Sequence, residues 1–553
     1  MSRSSFRVPP LRLTLICCLV SFCANWQFGY QITYVNTAVK TFYRLFNSTY
    51  RADHNCSQCF MPYSDWSLIW SLTVASFYPG AIIGFLLVPY CTNRFGVRLA
   101  LMGSTLPAII GCLLEMFARV AARSSQPGSE DLVLVNFLIA GRVFTGIHGG
   151  AALALLPLFV SEVTPPAHRG VLSSLQQAAQ ALTTLLGFVF GSETFFTVEK
   201  NRFEWLQIIG MTPTLILIVF LAIIRETPYE YFIRRNDWIK GEKSIAYYYG
   251  GNVDMEIASI GIVQEGARSA AQPHNVYTLS DLLCPASASD QIVRKGFLLG
   301  VVAAASYAFT ADDLIDSFSS QIFQNVGRKD ERSSQHVADL VTVAIGVVLV
   351  ITSMIGCILV EKLGRKWMLI GGLLGTALSN TAAVLFRFLP DTIGPLATMV
   401  AFAVSKAFIG LGAGAPAWFL TSELVPPAAR SLAQSISTGV LLTVSGLVTV
   451  VYLPLDEHIG IYSLLVLASL PATICAAILM TYLPETKERT YEDIQRALAG
   501  RSAKCRFDTC LDENERLIRT LSKSSLSQNS RIHYGSANSC DSCDRSTLLA
   551  ASI

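Results

Sequence analysis

The sequence predicts an all-α membrane protein with twelve transmembrane helices in two six-helix bundles. Of its 553 residues, 52% are hydrophobic and only 15% are charged, a balance that soluble domains rarely reach. Apolar windows of the roughly 20 residues needed to cross a bilayer recur along the chain with short polar gaps. Short charged motifs also recur in the two halves. The net charge of +3 is too small to indicate nucleic acid as a partner. The apolar windows indicate that the chain is embedded in the lipid bilayer.

The apolar windows divide the chain into four parts. Residues 1–224 form an N-terminal bundle, 225–293 a cytoplasmic linker of short helices, 294–484 a C-terminal bundle and 485–553 a disordered cytoplasmic tail. The first window has a basic flank like that of a cleaved signal, but it lacks a small-residue cleavage site, which favours a retained helix. The helices are predicted near 11–38, 67–90, 99–120, 132–163, 170–191, 205–224, 296–324, 338–360, 367–388, 395–424, 430–452 and 460–483.

Basic loop residues predict the orientation, because cytoplasmic loops are enriched in Lys and Arg. The loops after helices two, four, eight and ten carry Arg94, Arg98, Arg169, Lys362, Arg365, Lys366 and Arg430. The opposite loop contains the glycosylation sequons of Asn47 and Asn55, which agrees with an extracellular location. In the same loop, Cys56 and Cys59 are the cysteines best placed to form a disulfide, although the two-residue spacer leaves that pairing open.

An internal repeat relates the halves. "CTNRFGVR" after helix two corresponds to "VEKLGRKW" after helix eight, and "SEVTPPAHRG" after helix four corresponds to "SELVPPAARS" after helix ten. Two six-helix halves with matching motifs are typical of alternating-access carriers, which bind substrate between the halves near mid-membrane.

Several motifs in order along the chain resemble the facilitative hexose transporter family, the sugar porters of the major facilitator superfamily. They are "NWQFGYQITYVNTAVKTFY", "LIWSLTVASFYPGAIIGF", "NRFGVR", "GRVFTGIHGG", "PLFVSEVTPPAHRGVLSSLQQ", "VEKLGRK", "PAWFLTSELVPPAAR" and "LPETKERTYEDI". The resemblance implies a divergent sugar carrier. No constellation of nucleophile, base and metal ligands occurs in the sequence, so we expect no enzymatic activity, metal or cofactor. Helices one and two are similar to the fructose and urate carrier branch.

Charged residues at the predicted helix ends form a candidate cytoplasmic gate. Ion pairs that exist in one conformation only would bias the equilibrium between outward and inward states. The alternative is that these are solvated loop charges of little energetic weight. The family resemblance implies that an arginine inside helix four, Arg142, holds the loop network. The complete gate set is Arg94, Arg98, Arg142, Glu162, Arg169, Glu361, Arg365, Glu423 and Arg430.

The predicted substrate site is eroded relative to the family. Gln177 corresponds to the family's helix-five glutamine, Gln180 follows one turn later, and Trp418 corresponds to its inner-gate tryptophan. In helix seven the two glutamines are absent and Asp313 replaces the asparagine. The other family contacts correspond to Gly410, Leu349, Leu441 and Leu442. Because each unmet sugar hydroxyl costs about 1–3 kcal/mol, we expect poor binding of D-glucose.

Charge replaces the missing amides. Asp312, Asp313 and Asp316 lie in helix seven, and Lys406 lies in helix ten. One interpretation is a structural ion pair of Asp313 or Asp316 with Lys406. In another, one aspartate binds the substrate or a proton, which makes Asp313 and Asp316 candidate site residues. In a third, the acids face extracellular water.

The tail ends in a possible sorting signal. Asp544, Leu548 and Leu549 have the spacing of an acidic dileucine motif that trafficking adaptors bind. The protein is therefore expected in the plasma membrane, or in endosomal or lysosomal membranes. Two functions stay open: a carrier of a hexose-like or other small organic solute, facilitative or proton-coupled, and a transport-deficient nutrient sensor or scaffold.

Overall fold

The computed structural model describes residues 10–499 except for 55, 57, 125–129, 166–168, 197–201, 251–258, 260, 263–277, 285–287, 327–330, 391–392, 488 and 490–492. The predicted sequon at Asn55 and the sorting residues Asp544, Leu548 and Leu549 lie outside the described residues. So do the side chains of Arg169 and Glu361, although both positions belong to helices.

Helices make up both halves, which confirms the all-α prediction. The N-half contains α1 (Leu11–Thr37), α2 (Val39–Asp53), α3 (Tyr63–Ala75), α4 (Phe77–Phe95), α5 (Val97–Arg123), α6 (Glu130–Val163), α7 (Arg169–Gly191) and α8 (Arg202–Ile223). Between the halves lie α9 (Trp238–Tyr249) and α10 (Leu279–Leu283). The C-half contains α11 (Ala288–Ala308), α12 (Asp312–Val326), α13 (Glu331–Leu363), α14 (Arg365–Leu385), α15 (Gly394–Phe408), α16 (Gly414–Leu424), α17 (Pro427–Ile459) and α18 (Leu470–Tyr482).

Eleven helical segments within the described residues are long and apolar enough to cross a membrane. Three of them combine two helices each: α3 with α4, α11 with α12, and α15 with α16. The one predicted transmembrane helix that is not among these eleven is the fifth, α7. Its mean hydropathy is lowered by Gln176, Gln177 and Gln180. Since α7 packs along α1 and against α13, it belongs to the same bundle.

Helix α2 was not predicted, because it lies in a loop between two apolar windows. It is amphipathic, with Phe42 and Phe46 buried on one side. The Phe42 ring lies 5.0 Å from that of Trp70, and the Phe46 ring 5.6 Å from that of Trp66, both on α3. After α2, Cys56 and Cys59 form a disulfide, so the cysteine pairing is confirmed.

The two faces of the bundle differ in how the halves meet. We call the face with the α4–α5 and α13–α14 loops the basic face, and the face with α2 and the disulfide the opposite face. Toward the opposite face one hydrophobic cluster unites the halves, for example through Trp70 of α3 with Phe318 of α12 and Tyr452 of α17. Toward the basic face the clusters are separate, and each draws on one half together with adjacent linker residues. The halves are therefore closed at the opposite face.

Two breaks in the C-half helices shape its interior. Between α11 and α12 the chain turns at Ala311, whose φ of 67° lies in the left-handed region. Between α15 and α16 a π-helical turn spans Ile409–Ala413. Its glycines allow close packing, since a Cβ on Gly412 would lie 2.5 Å from the Met368 carbonyl oxygen. Such irregular backbone is tolerated in a membrane where it lines protein or a cavity.

Candidate functional site

A buried lysine organises the charges of the C-half. Lys406 of α15 is fully buried, and its ammonium pairs with both Asp312 and Asp316 of α12. The distance from Nζ to Asp316 Oδ1 is 2.5 Å, and Nζ also donates to the Asp312 carbonyl at 3.2 Å. The predicted pair with Asp316 is present. The pair with Asp313 is not, because Asp312 and Asp316 are four residues apart and share one side of α12, while Asp313 points about 100° away.

The helix break explains why these acids lie here. Helix α12 begins at Asp312, so two aspartates occupy its first turn, where the N-terminal end of the helix dipole favours negative charge. The turn before it is held by Asn380 of α14, whose side-chain amide donates to the Thr310 carbonyl at 3.1 Å. The Asp312 N–H donates to the Thr310 hydroxyl at 3.3 Å. The carboxylates are thus fixed by backbone geometry as well as by Lys406.

Tyr307 connects this charge network to the predicted gate residue. Its hydroxyl donates to Asp312 Oδ2 at 2.5 Å, and its ring lies 5.5 Å from that of Trp418 on α16. On the other side, Trp418 meets Phe28 of α1 edge to face at 6.4 Å. The aromatic group therefore joins the two halves. We call Tyr307, Asp312, Asp313, Asp316 and Lys406 the C-half cluster.

Two amide side chains approach helix α16, which carries Trp418. Gln177 of α7 approaches the π-helical turn, since its Nε2 would lie 3.0 Å from a Cβ on Gly414. Gln180 is half-buried one turn further along α7. Gln434 of α17, which the sequence analysis missed, donates from Nε2 to the Trp418 carbonyl at 2.7 Å, while its buried Oε1 has no hydrogen-bond partner among the described residues. The structure places Gln177 beside the first residue of α16 and Trp418 one turn later on the same helix, but puts Asp316 in the ion network.

Asp313 lies where the two halves meet. Its carboxyl group is near the hydroxyls of Tyr78, on α4 of the N-half, and Ser445, on α17 of the C-half, and the Tyr78 hydroxyl also lies beside Thr449 of α17. In the described part of the chain, neither hydroxyl forms a hydrogen bond of standard geometry. Nearby, Asn36 of α1 bonds α12 by donating to the Ile315 carbonyl at 3.2 Å and accepting from the Ser320 N–H at 2.9 Å. Helix α12 is thus a principal contact between the halves at the opposite face.

Several of the predicted gate residues form a network within each half. In the N-half, Arg98 donates to Glu226 at 3.1 Å, and Thr227 donates to Glu162 at 2.7 Å. Arg94 is exposed and lies beside the Phe95 ring.

The C-half repeats this arrangement. The Thr486 hydroxyl donates to Glu423 Oε2 at 2.5 Å, and Arg365 Nε lies 3.5 Å from Glu423 Oε1. The Arg365 N–H donates to Glu485 at 2.9 Å, while Arg430 is exposed. The sequence analysis missed a third repeated motif, "RETPYE" and "PETKER", that supplies these partners: Glu226 and Thr227 in one half, Glu485 and Thr486 in the other.

Arg142 requires a correction, because it does not join the basic-face network in the described residues. It is 1% exposed within α6 and donates to the Gln31 carbonyl at 3.1 Å and the Val74 carbonyl at 3.3 Å. The positive charge of Arg142 interacts with the carboxyl group of Glu115, which is buried on α5. Glu115 accepts from the Tyr34 hydroxyl at 2.9 Å, and that hydroxyl accepts from Gln207 Nε2 at 3.1 Å. We call Gln31, Tyr34, Glu115, Arg142 and Gln207 the N-half cluster.

The linker helix α9 is anchored to the N-half near the basic face. Ser244 donates to the Glu226 carbonyl at 2.6 Å, and Tyr248 donates to the Arg225 carbonyl at 2.5 Å. Burial raises the pKa of Tyr248, so its hydroxyl stays protonated and can donate. The linker therefore reinforces the same Glu226 segment that binds Arg98.

Asn47 lies in a structural position. It is 5% exposed, its amide donates to the Tyr43 carbonyl at 3.0 Å, and its Oδ1 accepts from the Met61 N–H at 2.9 Å. A glycan on the amide nitrogen would have to displace these contacts. Glycosylation at Asn47 stays a prediction.

Comparison with known proteins now decides the family. The family model described as "Sugar (and other) transporter" matches residues 16–498. The chain belongs to this family. It is therefore a membrane transporter, not an enzyme, as the sequence predicted.

Individual relatives match over nearly their whole length. The facilitated glucose transporter member 3 of solute carrier family 2 from Pongo abelii is 26% identical over 489 residues, covering 87% of this chain and 92% of the relative. Member 7 from Mus musculus is 24% identical over 510 residues, covering 91% and 93%. The major facilitator proton:xylose symporter XylE bound to 6-bromo-6-deoxy-D-glucose superposes with a TM-score of 0.69 at 20% identity, covering 87% of this chain and 98% of that one. This structural likeness establishes the major facilitator fold.

Proposed function

We propose that the protein carries a neutral, hexose-sized organic solute by facilitated alternating access, and that D-glucose is a poor substrate. The observation that carries this proposal is the position of Gln177 and Trp418 at the same broken helix: the Gln177 amide approaches Gly414 at the start of α16, and Trp418 lies one turn later between Phe28 and Tyr307. Amides bind hydroxyl or carbonyl groups in pairs, and an aromatic ring covers the apolar face of a ring-shaped solute. Relatives described as facilitated glucose transporters support the class of substrate.

The composition of the site argues against ordinary glucose. Gln177, Gln180 and Gln434 supply amides, but the C-half adds an aromatic residue, Tyr307, whose hydroxyl is already engaged with Asp312. Leu349, Leu441 and Leu442 are all buried and supply no polar group. A solute with fewer hydroxyls to satisfy, or with a different ring, fits this distribution better than glucose does.

Uptake into proteoliposomes tests the proposal. A panel of labelled hexoses, pentoses and polyols should contain at least one solute with saturable, counterflow-competent uptake that exceeds that of D-glucose at least about tenfold, a difference of about 1.4 kcal/mol. Gln177→Ala and Trp418→Ala should abolish that uptake. The matched control is Gln176→Ala, the neighbouring amide about 100° round α7, which should retain it. High-affinity glucose uptake, or no uptake of any solute, would contradict the proposal.

We further propose that the basic face is cytoplasmic and that its two networks act as the gate. Arg98 with Glu226 and Arg365 with Glu423 brace each half while the halves are closed at the opposite face. Arg94, Arg169, Glu361 and Arg430 would complete contacts between the halves in the other state. Crosslinking of cysteine pairs across this face should increase when solute gradients favour the outward state, and unchanged crosslinking would contradict the gate.

Location and trafficking follow from the same orientation. We expect residence in the plasma membrane with exchange to endosomes through Asp544, Leu548 and Leu549. Alanine at both leucines should increase the surface-labelled fraction severalfold, and an unchanged fraction would exclude the adaptor signal. A mobility shift with glycosidase that disappears in Asn55→Gln, or in Asn47→Gln, would identify the modified sequon.

A further inference from the structure

Asp313 is a buried acid that shares the nearby Lys406 ammonium with two other acids and does not itself pair with it in the described part of the chain. It is 7% exposed, yet no ion pair to it occurs in the described part of the chain, whereas both neighbouring acids of α12 reach Lys406. A buried carboxylate that lacks a counter-charge is costly, especially at membrane depth. Its environment must therefore supply either a proton or another ligand.

Two buried hydroxyls mark the position of that ligand. Tyr78 is 2% exposed and Ser445 is 1% exposed, and both hydroxyls lie near the Asp313 carboxyl group, with Thr449 of α17 also beside that of Tyr78. Neither hydroxyl has a hydrogen-bond partner of standard geometry within the described residues. Native proteins rarely leave buried polar atoms unpaired, so unpaired groups that converge on one carboxyl indicate a binding site.

The charges around Asp313 identify the ligand as a proton. The ionisable groups that face it are Asp312 and Asp316 on its own helix, Lys406 of α15, Tyr78 of α4 and Tyr307 of α11. With all three carboxyl groups ionised, the single ammonium would leave two uncompensated negative charges in a buried region. A proton on Asp313 removes one of them and provides an O–H donor for the hydroxyl oxygens. Among the described residues no acidic or sulfur cluster is suited to a metal ion.

We propose that Asp313 is a proton-binding site whose occupancy is coupled to closure of the opposite face. This inference rests on the proposed alternating-access function. In this closed state Tyr78 covers Asp313 and packs against α17, where a Cβ on Gly446 would lie 2.9 Å from the Tyr78 Cβ. When the halves separate at the opposite face, Tyr78 withdraws with α4 and water reaches Asp313. The carboxyl O–H bond then breaks, and water takes the proton.

The direction of the pH dependence follows from this geometry. The closed state buries Asp313 and favours its neutral, protonated form, while the open state exposes it and favours the carboxylate. Acid therefore stabilises closure, and rising pH stabilises opening. For one coupled proton, the ratio of the two populations changes by at most about tenfold per pH unit.

The test measures the opposite-face opening without any solute. The full-length chain in nanodiscs carries spin labels at Ser64→Cys on α3 and His458→Cys on α17, both exposed positions. Raising the pH from about 5 to about 8 should move the distance distribution toward longer values, by up to about tenfold in population per pH unit. Asp313→Asn should abolish the pH shift and hold the short distance. Asp313→Glu should keep a shift with a moved midpoint, which excludes misfolding as the cause.

Asp339 provides the matched control. It is another buried carboxyl group at the interface between the halves, where Ser192, the residue after α7, donates to it at 2.7 Å. Asp339→Asn should retain the pH shift. The proposal is overturned if the wild type shows no shift, if Asp313→Asn keeps it, or if Asp339→Asn alone removes it. Because no solute is used, a pH shift without uptake of any solute would refute the proposed function and leave the proton site standing.

Discussion

The two buried charge clusters differ in balance and in connection. The N-half cluster has one acid and one cation, Glu115 and Arg142, and its hydrogen bonds stay within its own half. The C-half cluster has three acids and one cation, and Asp313 faces Tyr78 of the other half. A neutral, self-contained cluster fixes the packing of a bundle. A cluster with excess acid at the moving interface responds to what binds there.

Breaking the C-half cluster at its cation should have the largest effect. Lys406→Met leaves Asp312 and Asp316 buried without a counter-charge, and losing one partner of a buried ion pair costs roughly 3–5 kcal/mol. The free energy of unfolding in SDS titration should fall by about that amount, and uptake should be lost.

Neutralising the acids together with the lysine tests this explanation. The triple variant Asp312→Asn, Asp316→Asn, Lys406→Met should recover most of the lost unfolding free energy, because no unpaired charge stays buried. If Lys406→Met alone is as stable as wild type, Asp312 and Asp316 become neutral without Lys406, and the C-half cluster does not contain three ionised acids.

The same change in the N-half cluster should cost less. Arg142→Met removes hydrogen bonds to two carbonyls, each bond from a charged group being worth about 1.5–3 kcal/mol before relaxation. The single acid left behind, Glu115, keeps its hydrogen bond from Tyr34 and can accept a proton. We expect a net loss of about 2 kcal/mol by the same SDS titration. A loss larger than that of Lys406→Met would reverse the ranking of the clusters.

A matched tyrosine pair separates stability from transport. Tyr307→Phe and Tyr34→Phe each remove one hydroxyl that donates to a buried carboxylate, so each should cost about 1 kcal/mol of unfolding free energy. Only Tyr307 also contacts Trp418, so only Tyr307→Phe should change kcat/KM for uptake. Equal effects on uptake would show that Tyr307 does not link the C-half cluster to Trp418.

The sequence predicted the features that depend on repeated local patterns. The apolar windows anticipated the membrane spans, and the repeated charged motifs marked the helix ends that carry Glu162 and Glu423, but not the segments that supply their partners Thr227 and Thr486. Helix α2 was missed although Phe42, Leu45 and Phe46 have helical spacing, because the search was for windows long enough to cross a membrane.

The choice of partner for Lys406 was beyond the sequence. Asp313 and Asp316 are three residues apart and Asp312 and Asp316 are four apart, so either pair suits one face of a helix. The turn at Ala311 sets the rotation of α12 and decides between them. A glycine at this position would have indicated a turn with positive φ, but an alanine gives no such signal in the sequence.

This turn gives the smallest and last prediction. Ala311 has a φ of 67°, a conformation that costs an L-residue about 1–2 kcal/mol relative to glycine. Part of that gain is offset by the greater freedom of glycine in the unfolded chain, so Ala311→Gly should raise the unfolding free energy by about 0.5 kcal/mol. The control Ala304→Gly, inside helix α11, should lower it by about 1 kcal/mol.

The sign of the Ala311 effect tests what maintains the bend. If the lysine holds α12 in a strained position, Ala311→Gly should stabilise the protein and lessen the damage of Lys406→Met, because the turn would form without the ion pair. If Ala311→Gly destabilises the protein, the turn owes its shape to the methyl group's packing, since Ala311 is fully buried. In that case the direction of Asp313 toward Tyr78 would be set by the hydrophobic core of the opposite face and not by Lys406.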